Sequence, residues 1–374
     1  MELYNYQSLK TLIDGEIREH LDFKIRQEMG MFSDFEEYIN QSEVSKSFYE
    51  NFNQKELTDM YMGQIKEIAD SCENLSNKEK VLYLLEIMRL SVMYENIGEK
   101  AAILSQAGIN AAIMGKGVCA SQAKYFRNLL LGCNIESKTL RLHQSGEETE
   151  HQTVLIRIND VETTIIDPTH YNGNPDILAI FIKEMKYAYG DLSKLGVKQF
   201  VVTEEEIESA RKKAIEFVLD YYGIVKLLGD VKFENLLELD KFVFILKVLQ
   251  NNIVVSQEKE KYRSVVLGNR EFEIDKALEL LLQCCKLPFY IIYNGAEHDC
   301  FYHVTIAEKG YIVSPKNIFK SNSNQIGRKW LAASEEESFS INEDCQKIFD
   351  RLDNTYLNNE KIYPDGANIG RTRK

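Results

Sequence analysis

At 374 residues the chain is long enough for about two domains with a sizeable buried core. Hydrophobic residues make up 44% and charged residues 28%, with only 5 Pro and 20 Gly, which excludes collagen-like, disordered and low-complexity classes. The 45 Lys and Arg against 58 Asp and Glu leave a net charge of −13, a field that repels phosphate backbones. No nucleic-acid partner is expected, since the short basic tail of Arg371, Arg373 and Lys374 reads as solvated.

The start, Met1-Glu2-Leu3-Tyr4-Asn5, has no basic region followed by an apolar run, so no secretory signal is expected. Residues 1–72 read as a helical N-terminal region in which Leu57, Tyr61, Ile65 and Ile68 recur at helical spacing. Ser76 with Glu79 forms a capping box that opens a second stripe of Val81, Leu84, Leu85, Met88 and Val92. A loop rich in small residues follows to about Gly117. Its uncharged run from Ala101 to Gly115 has 15 residues but contains Ser105, Gln106 and Asn110, too short and too polar to span a bilayer, so no membrane span is expected. From Cys119 to Leu131 the residues Cys119, Ala123, Phe126 and Leu130 fall on one helix face. After Gly132 the pattern changes to strands: Thr139–Leu142, His151–Ile158 and Val161–Ile166, with Asn159-Asp160 as the turn.

Thr203 with Glu206 is a further capping box. It starts a helical connector over 200–225, after the helix-and-meander unit expected over 73–195. The remainder reads as helices over Leu236–Leu249 and Ile274–Leu282, then strands over Phe289–Tyr293, Phe301–Ala307 and Tyr311–Val313, before a C-terminal tail over 331–374. Gly117 and Gly268 are 151 residues apart. So are Leu129-Leu130-Leu131 and Leu280-Leu281-Leu282, and Cys133 and Cys284, while His151 and His303 are 152 apart. Residues 226–330 are therefore a candidate degenerate second copy, with coincidence of short leucine runs as the competing account. By this spacing Arg270 stands where the first copy has Cys119, and Ser314-Pro315 stands where it has Asp167-Pro168, so the second copy has no nucleophile.

The chemistry-bearing stretch is Gly115-Lys116-Gly117-Val118-Cys119-Ala120-Ser121-Gln122-Ala123. It sets a thiol after a flexible glycine pair and at a helix start, where unpaired N–H groups favour a thiolate. A nucleophilic cysteine needs a base: His151 opens the next long strand and Asp167 closes the one after it. If the hairpin loop is the odd-length 159–161, paired positions sum to 320, Thr153 faces Asp167, and His151 lies diagonally beside Asp167 on one sheet face. A two-residue loop without a bulge puts the two side chains on opposite faces, so the odd-length loop is expected. Cys119 is then the nucleophile, His151 the base and Asp167 the residue that orients the imidazole, with the Cys119 N–H and the Tyr94 hydroxyl as candidate oxyanion donors.

Together, Gly115-Lys116-Gly117-Val118-Cys119 with Gln122-Ala123, His151 before a strand, and Ile166-Asp167-Pro168-Thr169 resemble the transglutaminase-like superfamily of papain-like cysteine enzymes. The resemblance covers roughly residues 76–175. It implies an α+β fold with a papain-like core, a helix bearing the cysteine packed on an antiparallel sheet, and it assigns Cys119, His151 and Asp167 the same three roles. Gln152-Thr153-Val154 follows the histidine where many members carry an aromatic residue, and no calcium loops are recognisable, which argues against a calcium-switched transglutaminase.

The expected function is cleavage or transfer of a peptide or glutaminyl acyl group through a cysteine thioester. Protease, deamidase and transglutaminase outcomes all remain open, with hydrolysis placed ahead because water is always present. The alternative is a non-catalytic peptide-binding or scaffold protein using the same cleft. The expected partner is a protein or peptide substrate, and no cofactor or metal is called for. Tyr94, Gln122 and His170 are the further cleft candidates, and the acidic loop of Glu147, Glu148 and Glu150 reads as solvated. The other sulfur and imidazole groups read as structural: Cys133, Cys284 and Cys285 as core, His143 as a strand end, and His298, Cys300 and His303 as lacking the geometry of a metal set. Seven cysteines at irregular spacing in a large chain indicate reduced thiols and a cytoplasmic setting, with export lacking a cleaved signal still compatible.

Overall fold

A computed structural model of the chain describes residues 6–28, 53–94, 108–143, 150–171, 173, 197–228, 233–254, 264–294, 299–306, 309–313 and 331–332. Helices and small, mainly antiparallel sheets make this an α+β protein. It forms two compact units, 1–214 and 215–374. Among the described residues no helix is long and apolar enough to cross a membrane.

In the first unit α1 (Tyr6–Glu28) buries Leu9, Ile13 and Ile17, four residues apart, and α2 (Gln54–Ser71) buries Leu57, Tyr61, Ile65 and Ile68. Asn53 and Glu56 form a reciprocal capping box at the start of α2. Ser76 and Glu79 do the same for α3 (Asn77–Ser91), which is buried along its whole length from Val81. Directly after α3, β1 (Met93–Tyr94) pairs in parallel with β2 (Lys116–Gly117), so the segment taken as loop up to Gly117 contains a π-helical turn (Asn110–Met114) and a strand.

The central helix α4 (Cys119–Gly132) packs on α2, α3 and the sheet, burying Ala123, Phe126 and Leu130 on the face that Cys119 heads. Truncating a fully buried Phe126 would cost about 3–5 kcal/mol. The meander that follows is β3 (Ser137–His143), β4 (Glu150–Asn159) and β5 (Glu162–Ile166), in the order β3-β4-β5. Val154, Ile156 and Ile158 are buried, while Arg157 between them is exposed.

The hairpin departs from the expected odd-length loop and from an Asn159-Asp160 turn. Its turn is the two-residue Asp160-Val161, and Asn159 pairs with Glu162. A bulge at Ile158 then restores the register, so that Arg157↔Thr163 through Val154↔Ile166 all sum to 320. The bulge is held from both sides: Asn77 Nδ2 donates to the Ile158 carbonyl at 2.9 Å, and Val161 N–H donates to Asn159 Oδ1 at 3.0 Å.

The Thr203/Glu206 capping box opens α5 (Glu204–Tyr221) as expected, and the boundary between the units falls inside this helix. The second unit continues with α6 (Ile224–Leu228) and α7 (Glu238–Asn251), then β6 (Ile253–Val254), β7 (Ser264–Leu267) and β8 (Arg270–Glu273), three strands absent from the sequence reading. It ends with α8 (Ile274–Cys284), β9 (Phe289–Asn294), β10 (Asp299–Ile306), β11 (Lys309–Val313) and β12 (Leu331–Ala332).

The first unit sets a parallel strand pair between α3 and α4 and follows it with a three-stranded sheet, whereas the second sets a three-stranded antiparallel sheet between α7 and α8 and follows it with a four-stranded one, and the suspected residue equivalences fall at different places. His151 faces Leu142 near the end of β3, whereas His303 faces Tyr290 near the start of β9. Cys119 is the first residue of α4, whereas Arg270 lies on β8, four residues before α8, with its guanidinium 5.0 Å from the Tyr222 ring. Ser314-Pro315 and the C-terminal tail beyond Ala332 lie outside the described residues.

Candidate active site

Cys119 is presented by a stiffened turn. Gly115 takes a left-handed φ of 72°, and its carbonyl accepts from Met93 N–H at 2.7 Å. Gly117 leaves no room for a side chain unless Ser121 shifts, because a Cβ there would sit 2.5 Å from Ser121 Oγ, which accepts from Ala111 N–H at 3.1 Å. Gln122 is buried and its Nε2 donates to the Gly117 carbonyl at 3.0 Å, so this cleft candidate braces the turn. Val118 occupies the helix cap and offers no side-chain acceptor, leaving Cys119 half-buried at the positive end of the α4 dipole.

The bulged register brings the other two groups together. Continued by one residue, it sets Thr153 opposite Asp167, and the His151 ring reaches diagonally to place Nε2 2.5 Å from Asp167 Oδ2. The His151 side chain and the Gln152 backbone N–H are the groups near enough to the Cys119 thiol to lower its pKa. Since Nε2 faces the carboxylate, Nδ1 is the ring nitrogen left for sulfur.

Asp167 is only 4% exposed and accepts three hydrogen bonds: Thr169 N–H at 2.8 Å on Oδ1, and His151 and His170 Nδ1, the latter at 2.8 Å, on Oδ2. The turn that follows is anchored at depth. Tyr171 donates to Glu86 Oε1 at 2.5 Å, Glu86 is paired with Arg89 at 2.7 Å, and Arg211 donates to the Gly173 carbonyl at 3.1 Å. These anchors, and the direct contact of His170 with Asp167, escaped the sequence reading; the only local signal was Thr169 two residues after Asp167, the pattern of an Asx turn.

The electrostatics follow from this arrangement. Burial pushes the Cys119 thiol up, but the hydrogen bond and charge of His151, with the Gln152 N–H, outweigh it and hold the thiol below its usual value. Burial pulls His151 down, yet Asp167 and Cys119 together raise it to about 10. Burial raises Asp167, and the two imidazoles bring it well below the usual carboxylate range.

Tyr94 lies opposite Gly117 in the β1–β2 pair and is 45% exposed, so its backbone is two residues from the thiol. Glu147 and Glu148 lie outside the described residues, and Glu150 pairs with His143 at the loop end of the β3–β4 hairpin. Cys133 and Cys285 are buried as expected, whereas Cys284, the last residue of α8, is half-buried. His298 lies outside the described residues, and His303 stacks on Tyr290 with ring centroids 4.5 Å apart. Among the described residues the metal-competent group is His151, Asp167 and His170, whose ligand atoms all lie within 4.8 Å of one another. Compared with protein families, curated proteins and solved structures, the chain has no match.

Proposed function

We propose that the first unit is a papain-like cysteine acyl-transfer enzyme acting on a peptide or glutaminyl amide. The observation that carries this reading is the His151 ring, with Nε2 2.5 Å from the carboxylate of a buried Asp167 and near enough to the Cys119 thiol to lower its pKa. The Cys119 thiolate attacks the amide carbonyl, and the oxyanion forms beside the Cys119 N–H at the start of α4. The imidazolium Nδ1–H protonates the leaving amine, giving a thioester. His151 then takes a proton from water, or from an acceptor amine, whose attack releases the acyl group and returns the thiolate beside the protonated ring. Asp167, held by three donors, keeps the ring oriented throughout. A reducing, cytoplasmic compartment belongs to the same proposal, since the nucleophile works only as a free thiol.

The test uses an activated acyl donor that needs little recognition, a p-nitrophenyl ester, with intact-mass detection after acid quench. One acyl group on Cys119 is expected, absent in Cys119→Ala and formed much more slowly in His151→Ala. An adduct that is absent, or whose rate ignores His151, would overturn the reading. Glutamine amides supplied with and without hydroxylamine then separate hydrolysis from transfer.

A further inference from the structure

We propose that His151, Asp167 and His170 form a binding site for a borderline divalent cation of the Zn²⁺ type, occupied in competition with the hydrogen bonds of the Cys119 pair. Two imidazole nitrogens and a carboxylate oxygen lie within 4.8 Å of one another, with His151 Nε2 and His170 Nδ1 at 2.5 and 2.8 Å from Asp167 Oδ2. Such a nitrogen and oxygen set suits Zn²⁺ and its neighbours, and solvent supplies the fourth ligand.

Tetrahedral Zn²⁺ with bonds of about 2.0–2.1 Å separates its ligand atoms by about 3.3 Å, so each nitrogen moves out from Asp167 Oδ2 by about 0.5–0.8 Å to admit the ion, while the two nitrogens, within 4.8 Å of each other, adjust to the same spacing. The moving part is His170, whose side chain is 37% exposed and whose ring meets His151 only edge-on, with centroids 5.1 Å apart. A second observation points to a ligand here. Two of the buried hydroxyls that lack a hydrogen-bond partner among the described residues belong to the segments that carry the site: Thr153 Oγ1, across from Asp167 when the β4–β5 register is continued by one residue, and Thr169 Oγ1, next to His170 in the chain. Buried hydroxyls rarely stay orphaned, and a metal-bound water or a carboxylate turned toward the ion satisfies them as outer-shell partners.

The site stands whether or not Cys119 is a nucleophile; only its consequence rests on the acyl-transfer reading. A cation on Nε2 leaves the ring proton fixed on Nδ1, and the imidazole then cannot accept the thiol proton. The ion therefore silences the pair without binding sulfur.

The experiment is Zn²⁺ titration calorimetry on tag-free full-length protein, paired with Co²⁺ absorption spectra, on the wild type, Cys119→Ala and His170→Ala. One ion is expected in the wild type and in Cys119→Ala, with visible d–d bands and no sulfur-to-cobalt charge-transfer band. In His170→Ala the affinity falls at least about 100-fold, the upper end of what losing even an outer-shell partner costs. Absent binding, unchanged binding in His170→Ala, or binding lost in Cys119→Ala with a sulfur charge-transfer band in the wild type would each overturn the proposal. Ester acylation of Cys119 in metal-free buffer separates failure of the metal site from failure of the enzyme reading.

Discussion

Removing the His151 ring should disarm Cys119, and the size of the effect can be worked out. At pH 6.5 a free thiol of pKa about 8.5 is about 1% ionised, so a thiol held fully ionised there carries about 100-fold more thiolate. Intrinsic nucleophilicity falls with thiol acidity, with a slope of about 0.4–0.5, which takes back about one of those two orders of magnitude. Wild-type Cys119, held below the usual thiol value by His151, should thus be alkylated by iodoacetamide faster than a free thiol at pH 6.5, with about tenfold as the ceiling that full ionisation would set. The internal control is Cys284, comparably half-buried but pushed up to about 11 by burial, with no imidazole beside it to offset this. In His151→Ala, burial of Cys119 is opposed only by the Gln152 N–H and the helix start, and the rate at pH 6.5 should fall about tenfold or more. Site-resolved mass spectrometry across pH 5–10 reads both profiles. Coincident Cys119 and Cys284 profiles, or a His151→Ala profile like that of the wild type, would refute the pairing.

Asp167→Asn removes the buried charge beneath two imidazoles and should destabilise the fold by up to about 3–5 kcal/mol. The loss should itself depend on pH. His151 is raised in the folded state, so its share of stability is complete below the unfolded value of about 6.5 and is lost as pH rises through about 10; Asp167 is lowered, so its share is complete above about 3.9 and is lost as pH falls below that. Urea melts should therefore show the widest gap from wild type between about pH 4 and 6.5, closing toward pH 10; a gap that is flat with pH would refute the linkage. Gly117→Ala pushes a methyl into Ser121 and should cost about 1–3 kcal/mol while slowing Cys119 alkylation; a wild-type melting temperature would show that the turn yields freely. Tyr171→Phe withdraws a donor from buried Glu86 and should cost about 1–3 kcal/mol by the same melts, with a looser Asp167 turn visible as slower alkylation.

Much of the scaffold is legible because it rests on local chemistry. The capping boxes at Ser76 and Thr203 reach only three residues, and the apolar stripe headed by Cys119 needs only helical spacing, so both are written within one element. The strands of the second unit were harder. The pairs β6–β7 and β7–β8 are two to four residues long, too short for alternation to register, and they exist because a partner strand completes their hydrogen bonds.

The site divides the same way. Sequence supplies a thiol at a helix start, a histidine and an aspartate on neighbouring strands, and the parity condition that would bring the last two together. Parity alone does not say how the condition is met: a three-residue loop and a two-residue turn with a bulge give the same sum. Asn77, 81 residues before Ile158, captures the bulge carbonyl and holds the second solution. Distant contacts likewise fix Tyr171 on Glu86, and Oδ2 of Asp167 is shared between two imidazoles. The sequence by itself determines which groups are available and which face each must occupy, because those follow from periods of 2 and 3.6. Tertiary structure decides which of them share one carboxylate, because a hydrogen bond of 2.5–2.8 Å depends on where separate elements come to rest against each other.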